Sequence, residues 1–463
     1  MDHSDIITAI STAAGTGGIA VIRLSGKGCI ELVDSIFTPA SAKGLDMQAS
    51  NTIHFGTITK DGTVLDEVLV SVFRNPNSFT GEDTVEISCH GSVYIQQNIL
   101  QLLIQQGARL ANPGEFTQRA FLNGKMDLSQ AESVADLIAS TSAATHRLAM
   151  NQMRGGFSNK LIELRTDLLN FTSLIELELD FSEEDVEFAN RDSLKHAVKH
   201  IESLIRKLAD SFSIGNAVKT GIPVAIIGET NAGKSTLLNL LLHEDKAIVS
   251  DIHGTTRDVI EDTITIQGIT FRLIDTAGIR DTDDEIETLG IERTFKKLEQ
   301  ASIILWLVDV QSSDDHILDL YKKIQPRAKD KKLILIFNKE DTISPERKER
   351  KESLLSDVVS DRIFISAKYE QNTANLEKML VEAANIPQFG EQDVIVTNVR
   401  HYEALQNALQ AILRVSDGLE NSISGDFLSQ DIRECMHYLG EITGQISTDE
   451  ILGNIFSKFC IGK

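Results

Sequence analysis

The chain has 463 residues, 41% hydrophobic and 24% charged, a balance that fits a soluble globular protein and excludes disordered or collagen-like architecture. Its 45 Lys+Arg against 68 Asp+Glu give a formal net charge of −23. That excludes holding nucleic acid through a global field and leaves any RNA contact to a local basic patch or a helper protein.

The longest apolar run, Ile303 to Val308, is far too short to span a bilayer. The opening MDHSDIITAI lacks the basic-then-apolar order of a secretory signal, so a cytoplasmic protein with no membrane contact is expected. Cys29, Cys89, Cys435 and Cys460 lie far apart without a C-x-x-C pair, which suits a reducing compartment. At roughly 100–200 residues per domain, the length predicts about three domains.

Residues 1–120 alternate short β-rich runs with turns. Gly17 to Leu24, Val68 to Phe73 and Thr84 to Cys89 read as strands, and Val93 to Gly107 turns helical, giving an α+β domain. Residues 121–218 read as helical. Ser129-Gln130-Ala131-Glu132 has the pattern of a capping box, and Leu194, Val198, Ile201, Ile205, Leu208 and Phe212 form one apolar face. After Lys219-Thr220-Gly221 the texture changes. From 219 to 386 the apolar runs IPVAII, ITFRLID, SIILWLVD, LILIFN and RIFIS alternate with amphipathic helices, predicting a mostly parallel sheet buried on both faces. Gln267-Gly268 predicts a hairpin and one antiparallel edge strand. Residues 387–463 are helical again, so the α/β unit is expected to be inserted into a discontinuous helical domain.

The inserted unit carries the chemistry. Gly228-Glu229-Thr230-Asn231-Ala232-Gly233-Lys234-Ser235 fits G-x-x-x-x-G-K-[ST] between a strand and a helix. Backbone N–H groups would turn toward phosphate oxygens, Lys234 would reach the β- and γ-phosphates, and the Ser235 hydroxyl would ligate Mg²⁺, with Thr236 following. Asn338-Lys339-Glu340-Asp341 ends the strand LILIFN, and Asp341 can accept two hydrogen bonds from guanine that adenine does not offer. Ser366-Ala367-Lys368 would add a backbone donor to the guanine carbonyl. Asp275-Thr276-Ala277-Gly278 places Asp275 near Mg²⁺ and Gly278 at the γ-phosphate. In Gly254-Thr255-Thr256-Arg257-Asp258, Thr256 is assigned to the magnesium shell. Four fragments in this order define a Ras-like P-loop GTPase domain. Ile279 stands where Ras-like enzymes carry a water-orienting Gln, so the missing groups must come from elsewhere, and the acidic stretch Asp281 to Glu287 offers carboxylates.

With G-G-I-A-V-I-R-L-S-G at 17–26, S-F-T-G-E-D at 78–83, N-P-G-E-F-T-Q-R-A-F at 112–121, K-M-D-L-S-Q-A-E at 125–132 and F-C-I-G-K at 459–463, the whole chain resembles the tRNA-modification GTPase family called MnmE or TrmE. The resemblance implies a multidomain α/β protein. It would have an N-terminal α+β folate-binding and dimerisation domain, a discontinuous helical domain and an inserted G domain. It implies a homodimer working with tRNA and with the flavoprotein MnmG (GidA), which carries FAD, as a heterotetramer. Together they place an aminomethyl or carboxymethylaminomethyl group on carbon 5 of the wobble uridine, using a tetrahydrofolate one-carbon unit. It implies potassium activation through G-domain dimerisation. Asn231, Ser250, Ile252 and Thr255 are at the potassium-ligating positions, within a loop that includes Asp251, His253 and Gly254. Glu287 matches a water-orienting glutamate, and Arg280 a switch arginine. Arg23, Glu82, Lys125 and Lys463 match folate contacts, and Cys460 the cysteine of the terminal motif. Glu229-Thr230 and His253 depart from the family pattern at non-ligating positions, which predicts tuning of potassium selectivity.

Two other readings use the same G domain: a GTP-dependent ribosome or RNA assembly switch, and a folate-dependent one-carbon transferase regulated by GTP. The first usually appends a basic RNA-reading module, and the sequence shows none.

Overall fold

The computed structural model describes residues 5–41, 43–180, 191–245, 262–274, 298–386, 394–421, 423–457, 459 and 461–462. The chain divides into two compact units. One comprises Met1–Ile138, Met150–Ile205 and Ala404–Lys463, the other Ala139–Ala149 and Arg206–Glu403.

In the first unit, strands β1 (Ile7–Ile10), β2 (Ile19–Ser25), β3 (Phe37–Pro39), β4 (Thr52–Lys60), β5 (Thr63–Phe73), β6 (Thr84–His90) and β7 (Arg109–Leu110) form one sheet in the order β3-β4-β5-β6-β2-β1-β7. Only the β1–β7 pair is parallel. The period-two pattern sends Val68, Val70, Val72, Val85, Ile87 and Cys89 into a core shared with α1 (Cys29–Asp34) and α2 (Val93–Gln105). The alternate residues Ile53, Phe55 and Leu69 stay exposed on the other face. β5 is longer than the predicted strand because its N-terminal half continues the β4–β5 hairpin, whose register shifts between Ile58 and Thr59.

Helices α3 (Glu115–Leu122), α4 (Leu128–Ile138), α5 (Ala143–Met153), α6 (Gly156–Asp180) and α7 (Arg191–Asp210) follow. The capping box of α4 sits two residues earlier than the sequence pattern suggested. Gln130 Oε1 accepts from the Asp127 N–H at 3.0 Å, and Asp127 Oδ1 accepts from the Gln130 N–H at 2.9 Å. Asp127 precedes the first helical residue and so reaches the free N–H groups. Ser129 is already inside the helix, its hydroxyl against that of Ser158 at 3.1 Å. In α7, Leu194, Val198, Ile201, Ile205 and Leu208 are buried as expected. Phe212 instead opens the next helix, α8 (Phe212–Thr220), and stacks on Tyr402 with ring centroids 4.5 Å apart.

The second unit holds β8 (Ile222–Gly228), α9 (Lys234–Asp245), β9 (Asp262–Ile266), β10 (Ile269–Leu273), β11 (Ile303–Asp309), α10 (Asp314–Ile324), β12 (Lys332–Asn338), α11 (Pro345–Ser353), β13 (Asp361–Ile365) and α12 (Thr373–Ala384). The sheet order is β13-β12-β11-β8-β10-β9, parallel except for the edge hairpin β9–β10. Gln267 (φ 50°) and Gly268 (φ 80°) form its turn, both left-handed as a tight two-residue hairpin requires. Each face of the sheet has its own apolar core, which is why the strands read as unbroken hydrophobic runs. After it come α13 (Val399–Glu420), α14 (Gly425–Thr443) and α15 (Asp449–Phe456). In the first unit α14 packs along α6, and α15 packs on α3. Gly114 (φ 69°) begins α3 where a Cβ would lie 2.7 Å from the Phe456 carbonyl oxygen.

Candidate functional site

The nucleotide motifs meet at the carboxyl ends of β8, β11, β12 and β13. Parallel strands buried on both faces place every following loop at that one edge. A Cβ on Gly228 would lie 2.3 Å from the Leu307 carbonyl oxygen, and one on Gly233 (φ 98°) 2.2 Å from Asn338 Nδ2. Asn231 holds a left-handed φ of 67°, which Asn tolerates better than most residues. Asn338 is the keystone of this edge and is almost fully buried. Its Nδ2 donates to the Ala232 carbonyl at 2.8 Å, and its Oδ1 accepts from the Ala367 N–H at 3.0 Å. One amide therefore ties the phosphate loop to the Ser366-Ala367-Lys368 loop.

Lys234 Nζ donates to the carbonyls of Gly228 at 2.9 Å and Glu229 at 2.7 Å, so the cation spans the mouth of its own loop. Ser235 and Thr236 follow it in the first turn of α9, where the helix end favours anions. Asp341 Oδ1 accepts from the buried Ser366 hydroxyl at 2.5 Å, which orients the carboxylate and leaves its second oxygen for another donor. Lys339 (φ 67°) pairs with Asp309 at 2.6 Å, and Lys368 Nζ lies 5.0 Å from the Tyr369 ring centroid. Glu229 pairs with His316 of α10. Ser250, Asp251, Ile252, His253, Gly254, Thr255, Thr256, Asp275, Thr276, Ala277, Gly278, Ile279, Arg280, Glu287, Cys460 and Lys463 lie outside the described residues.

A second cluster lies in the N-terminal sheet. Arg23 on β2 faces Glu86 across the β2–β6 ladder and pairs with it at 2.7 Å. Its guanidinium carbon is 5.4 Å from the Phe79 ring centroid and 5.7 Å from that of Phe116. Glu82 Oε2 accepts from the Ser25 hydroxyl at 2.8 Å and from Arg119 at 3.2 Å, and Ser25 also meets Thr80 at 2.7 Å. Arg119 is 1% exposed and bridges Asp5 at 2.6 Å and Glu115 at 3.2 Å, while Arg109 closes the other side of Glu115 at 2.7 Å. Lys125 Nζ donates to the Pro76 carbonyl at 2.9 Å. Gly462 brings the chain end against β1, accepting from the Ser11 hydroxyl at 3.2 Å. Arg23, Glu82 and Lys125 thus stand around the 76–82 loop. Sequence reasoning missed Asp5, Ser25, Thr80, Glu115 and Arg119. Ser25, Thr80, Glu115 and Arg119 lie inside the motifs at 17–26, 78–83 and 112–121, and the i,i+4 spacing of Glu115 and Arg119 was a further signal.

This network shifts its acids. Burial pushes the Glu115 carboxyl up, but hydrogen bonds from Arg109 and the Asn112 N–H outweigh it and hold the group below the ordinary range. The Arg109 hydrogen bond does the same for Asp5, with Arg119 adding to it. Elsewhere in the first unit, burial raises the thiol of Cys89 to about 11 and that of Cys435 to about 12, so neither is a thiolate at neutral pH.

Residues 128–460 match the family described as "MnmE helical domain". A "tRNA modification GTPase MnmE" of Bacteroides thetaiotaomicron is 62% identical over 465 residues, covering 100% of both chains. This chain belongs to the MnmE family. Residues 6–125 match "GTP-binding protein TrmE N-terminus", which contains the Arg23–Glu82–Arg119 cluster. Proteins of the same name from Bacteroides fragilis and Flavobacterium johnsoniae are 61% and 51% identical, again over 100% of each chain. Among the described residues no helix is long and apolar enough to cross a membrane.

Proposed function

We propose that the protein is the GTP-hydrolysing component of the complex that adds an aminomethyl or carboxymethylaminomethyl group to carbon 5 of the tRNA wobble uridine. The observation that carries this reading is the single edge where Asn338 binds both the phosphate loop and the Ala367 loop. Beside it stands the Asp341 carboxylate, which accepts from the Ser366 hydroxyl and would accept from guanine through its second oxygen. The two glycines of the phosphate loop admit no side chain because Leu307 and Asn338 press against them, which keeps the loop's backbone tight, and its N–H groups would face the phosphates. When bound, Mg²⁺ would take the Ser235 hydroxyl and phosphate oxygens and neutralise charge developing on the transferred group. Asn231 would offer its amide oxygen to potassium, with Ser250, Ile252 and Thr255 completing that set. Glu287 would orient water where Ile279 cannot, and Arg280 and Thr256 would serve in the switches.

A tetrahydrofolate suits the second cluster. Glu82 Oε1 has only a long contact of 3.5 Å to Arg119 and keeps acceptor capacity for a pterin amine. Arg23 lies over two aromatic rings, and Lys125 retains two ammonium donors for a carboxylate tail. Lys463 would join it from the chain end, and Cys460 belongs to the same segment. The open sheet face supports a homodimer. Phe55 lies directly opposite Leu69, with Ile53 on the same strand, and all three are exposed. The flavoprotein MnmG would supply FAD and share the tRNA. In this reading residues 1–120 bind folate and dimerise, 121–218 and 387–463 form the helical domain, and 219–386 form the G domain, in the cytoplasm.

The test is steady-state GTP hydrolysis in potassium chloride and in sodium chloride at matched ionic strength, beside analysis of wobble uridine in a deletion strain. Strong stimulation by potassium, lost in Asn231→Ala and in Glu287→Ala, with unmodified uridine in the deletion strain, is expected. Equal slow rates in both salts and normal uridine modification would overturn the reading.

A further inference from the structure

A chain of net charge −23 can meet RNA only where basic residues are concentrated, and the second unit has such a place. From Lys322 to Lys332, six Lys/Arg accompany one acidic residue, Asp330. Lys322 and Lys323 end α10, Gln325–Arg327 is a single 3-10 turn, and Lys332 opens β12. Lys322, Lys323, Arg327, Lys329 and Lys332 are exposed. Lys331 turns inward, donating to the carbonyls of Glu299 at 2.7 Å and Ala301 at 2.8 Å.

These cations differ from the other basic run, on α11. There Lys348 pairs with Glu340, and Arg350 and Lys351 both pair with Asp314, so the charges serve internal contacts. In the 322–332 stretch, Lys322 pairs with Asp319 at 3.1 Å and Arg327 reaches the Lys323 carbonyl at 3.5 Å. Lys323, Lys329 and Lys332 have no side-chain partner among the described residues. Complementing the carboxyl end of a helix accounts for Lys322 and Lys323, but not for Lys329 and Lys332, which lie beyond it. Among the described residues the acids placed beside the stretch are Asp319, which pairs with Lys322, Glu299, which acts on the inward Lys331, Asp330 within it, and Asp361 at the start of neighbouring β13.

We propose that this surface binds the phosphate backbone of RNA directly. Screening over about 8 Å at physiological salt lets such a patch act despite the acidity of the rest of the chain. Ile324 and Ala328 are buried, so the stretch exposes no large apolar side chain of the kind a membrane-surface helix inserts. It also exposes no aromatic ring for base stacking, so it reads charge and not sequence. β12 runs seven residues from Lys332 to Asn338, roughly 20 Å, which separates the patch from the nucleotide edge. RNA and GTP therefore bind without competing. The choice of tRNA as the RNA rests on the function proposed above.

The experiment is fluorescence anisotropy of a labelled, unmodified tRNA transcript with the full-length protein across a potassium chloride series. The triple variant Lys323→Glu, Lys329→Glu, Lys332→Glu should bind at least about tenfold more weakly, with a salt dependence shallower by about three counterions. Its GTP hydrolysis should equal that of the unaltered protein. The corresponding triple alanine variant should show the same shallower slope, and it serves if charge reversal harms folding. Unchanged affinity and slope in both variants, or no tRNA binding by the unaltered protein, overturns the proposal. So does loss of binding to phosphatidylglycerol vesicles while tRNA binding persists. Normal wobble modification in a deletion strain would count against the function reading alone, because it leaves the anisotropy result standing.

Discussion

The nucleotide edge of the second unit and the charged cluster of the N-terminal sheet solve the same problem in different ways. Each holds polar groups in a fixed arrangement. At the nucleotide edge the work falls to backbone groups and one buried neutral amide, Asn338. In the N-terminal sheet it falls to ionised side chains: Arg119 sits among Asp5, Glu82 and Glu115, with Arg109 behind. A neutral amide costs little to bury once both ends are bonded, whereas a buried charge depends on all its partners at once. The first site should therefore depend on that one amide, and the second on all members of its ionic network at once.

The largest effect should come from the charged cluster. Arg119→Met removes the buried member of the Arg109–Arg119 pair that Glu115 and Asp5 share, and the only one of the two that reaches Glu82, and should destabilise the protein by about 3–5 kcal/mol in denaturant unfolding. A loss well under about 1 kcal/mol would show that Arg109 alone carries the network and would break the contrast.

Asn338→Ala should come next. It strands the Ala232 carbonyl and the Ala367 N–H, at about 1–3 kcal/mol for each unpaired buried group. GTP affinity should fall together with stability, because one side chain joins both loops. A thermal melt with unaltered GTP binding would mean that the loops hold their places independently.

This difference also explains what the sequence made legible. Gly228 to Ser235, Asn338 to Asp341 and Ser366 to Lys368 are contiguous because each follows one strand, and parallel topology brings the strand ends together. The mostly parallel sheet and its Gln267-Gly268 hairpin were readable for the same reason, as local period and turn chemistry decide them. The N-terminal cluster draws on Asp5, Ser25, Glu82 and Arg119, which only sheet pairing and α3 bring together, so separate motifs hold its members and no single local pattern shows them as one network. The α4 cap shows the limit at short range. Two overlapping patterns, Asp127 to Gln130 and Ser129 to Glu132, competed, and the acid one step before the helix took the role.

A smaller effect sharpens the contrast through pH. The Glu115 carboxyl titrates below its ordinary value of 4.5 in the folded protein, so it contributes stability above that range. The contribution is lost as pH falls through the lowered folded value, and Asp5 acts in the same direction. Denaturation midpoints should therefore drop steeply below about pH 4.5 in the unaltered protein and less steeply in Glu115→Gln. Equal slopes would remove the network from the acid response.

The most direct test of the central claim is the nucleotide preference of Asp341→Asn. Asp341 accepts hydrogen bonds, and the amide of Asn presents a donor to the carbonyl that xanthine carries where guanine has its amine. The unaltered protein should hydrolyse GTP and neglect XTP, and Asp341→Asn should reverse that preference by about a hundredfold or more in kcat/KM. A variant that keeps its preference for GTP would contradict the account, because the base would then be read by groups other than those gathered at this edge.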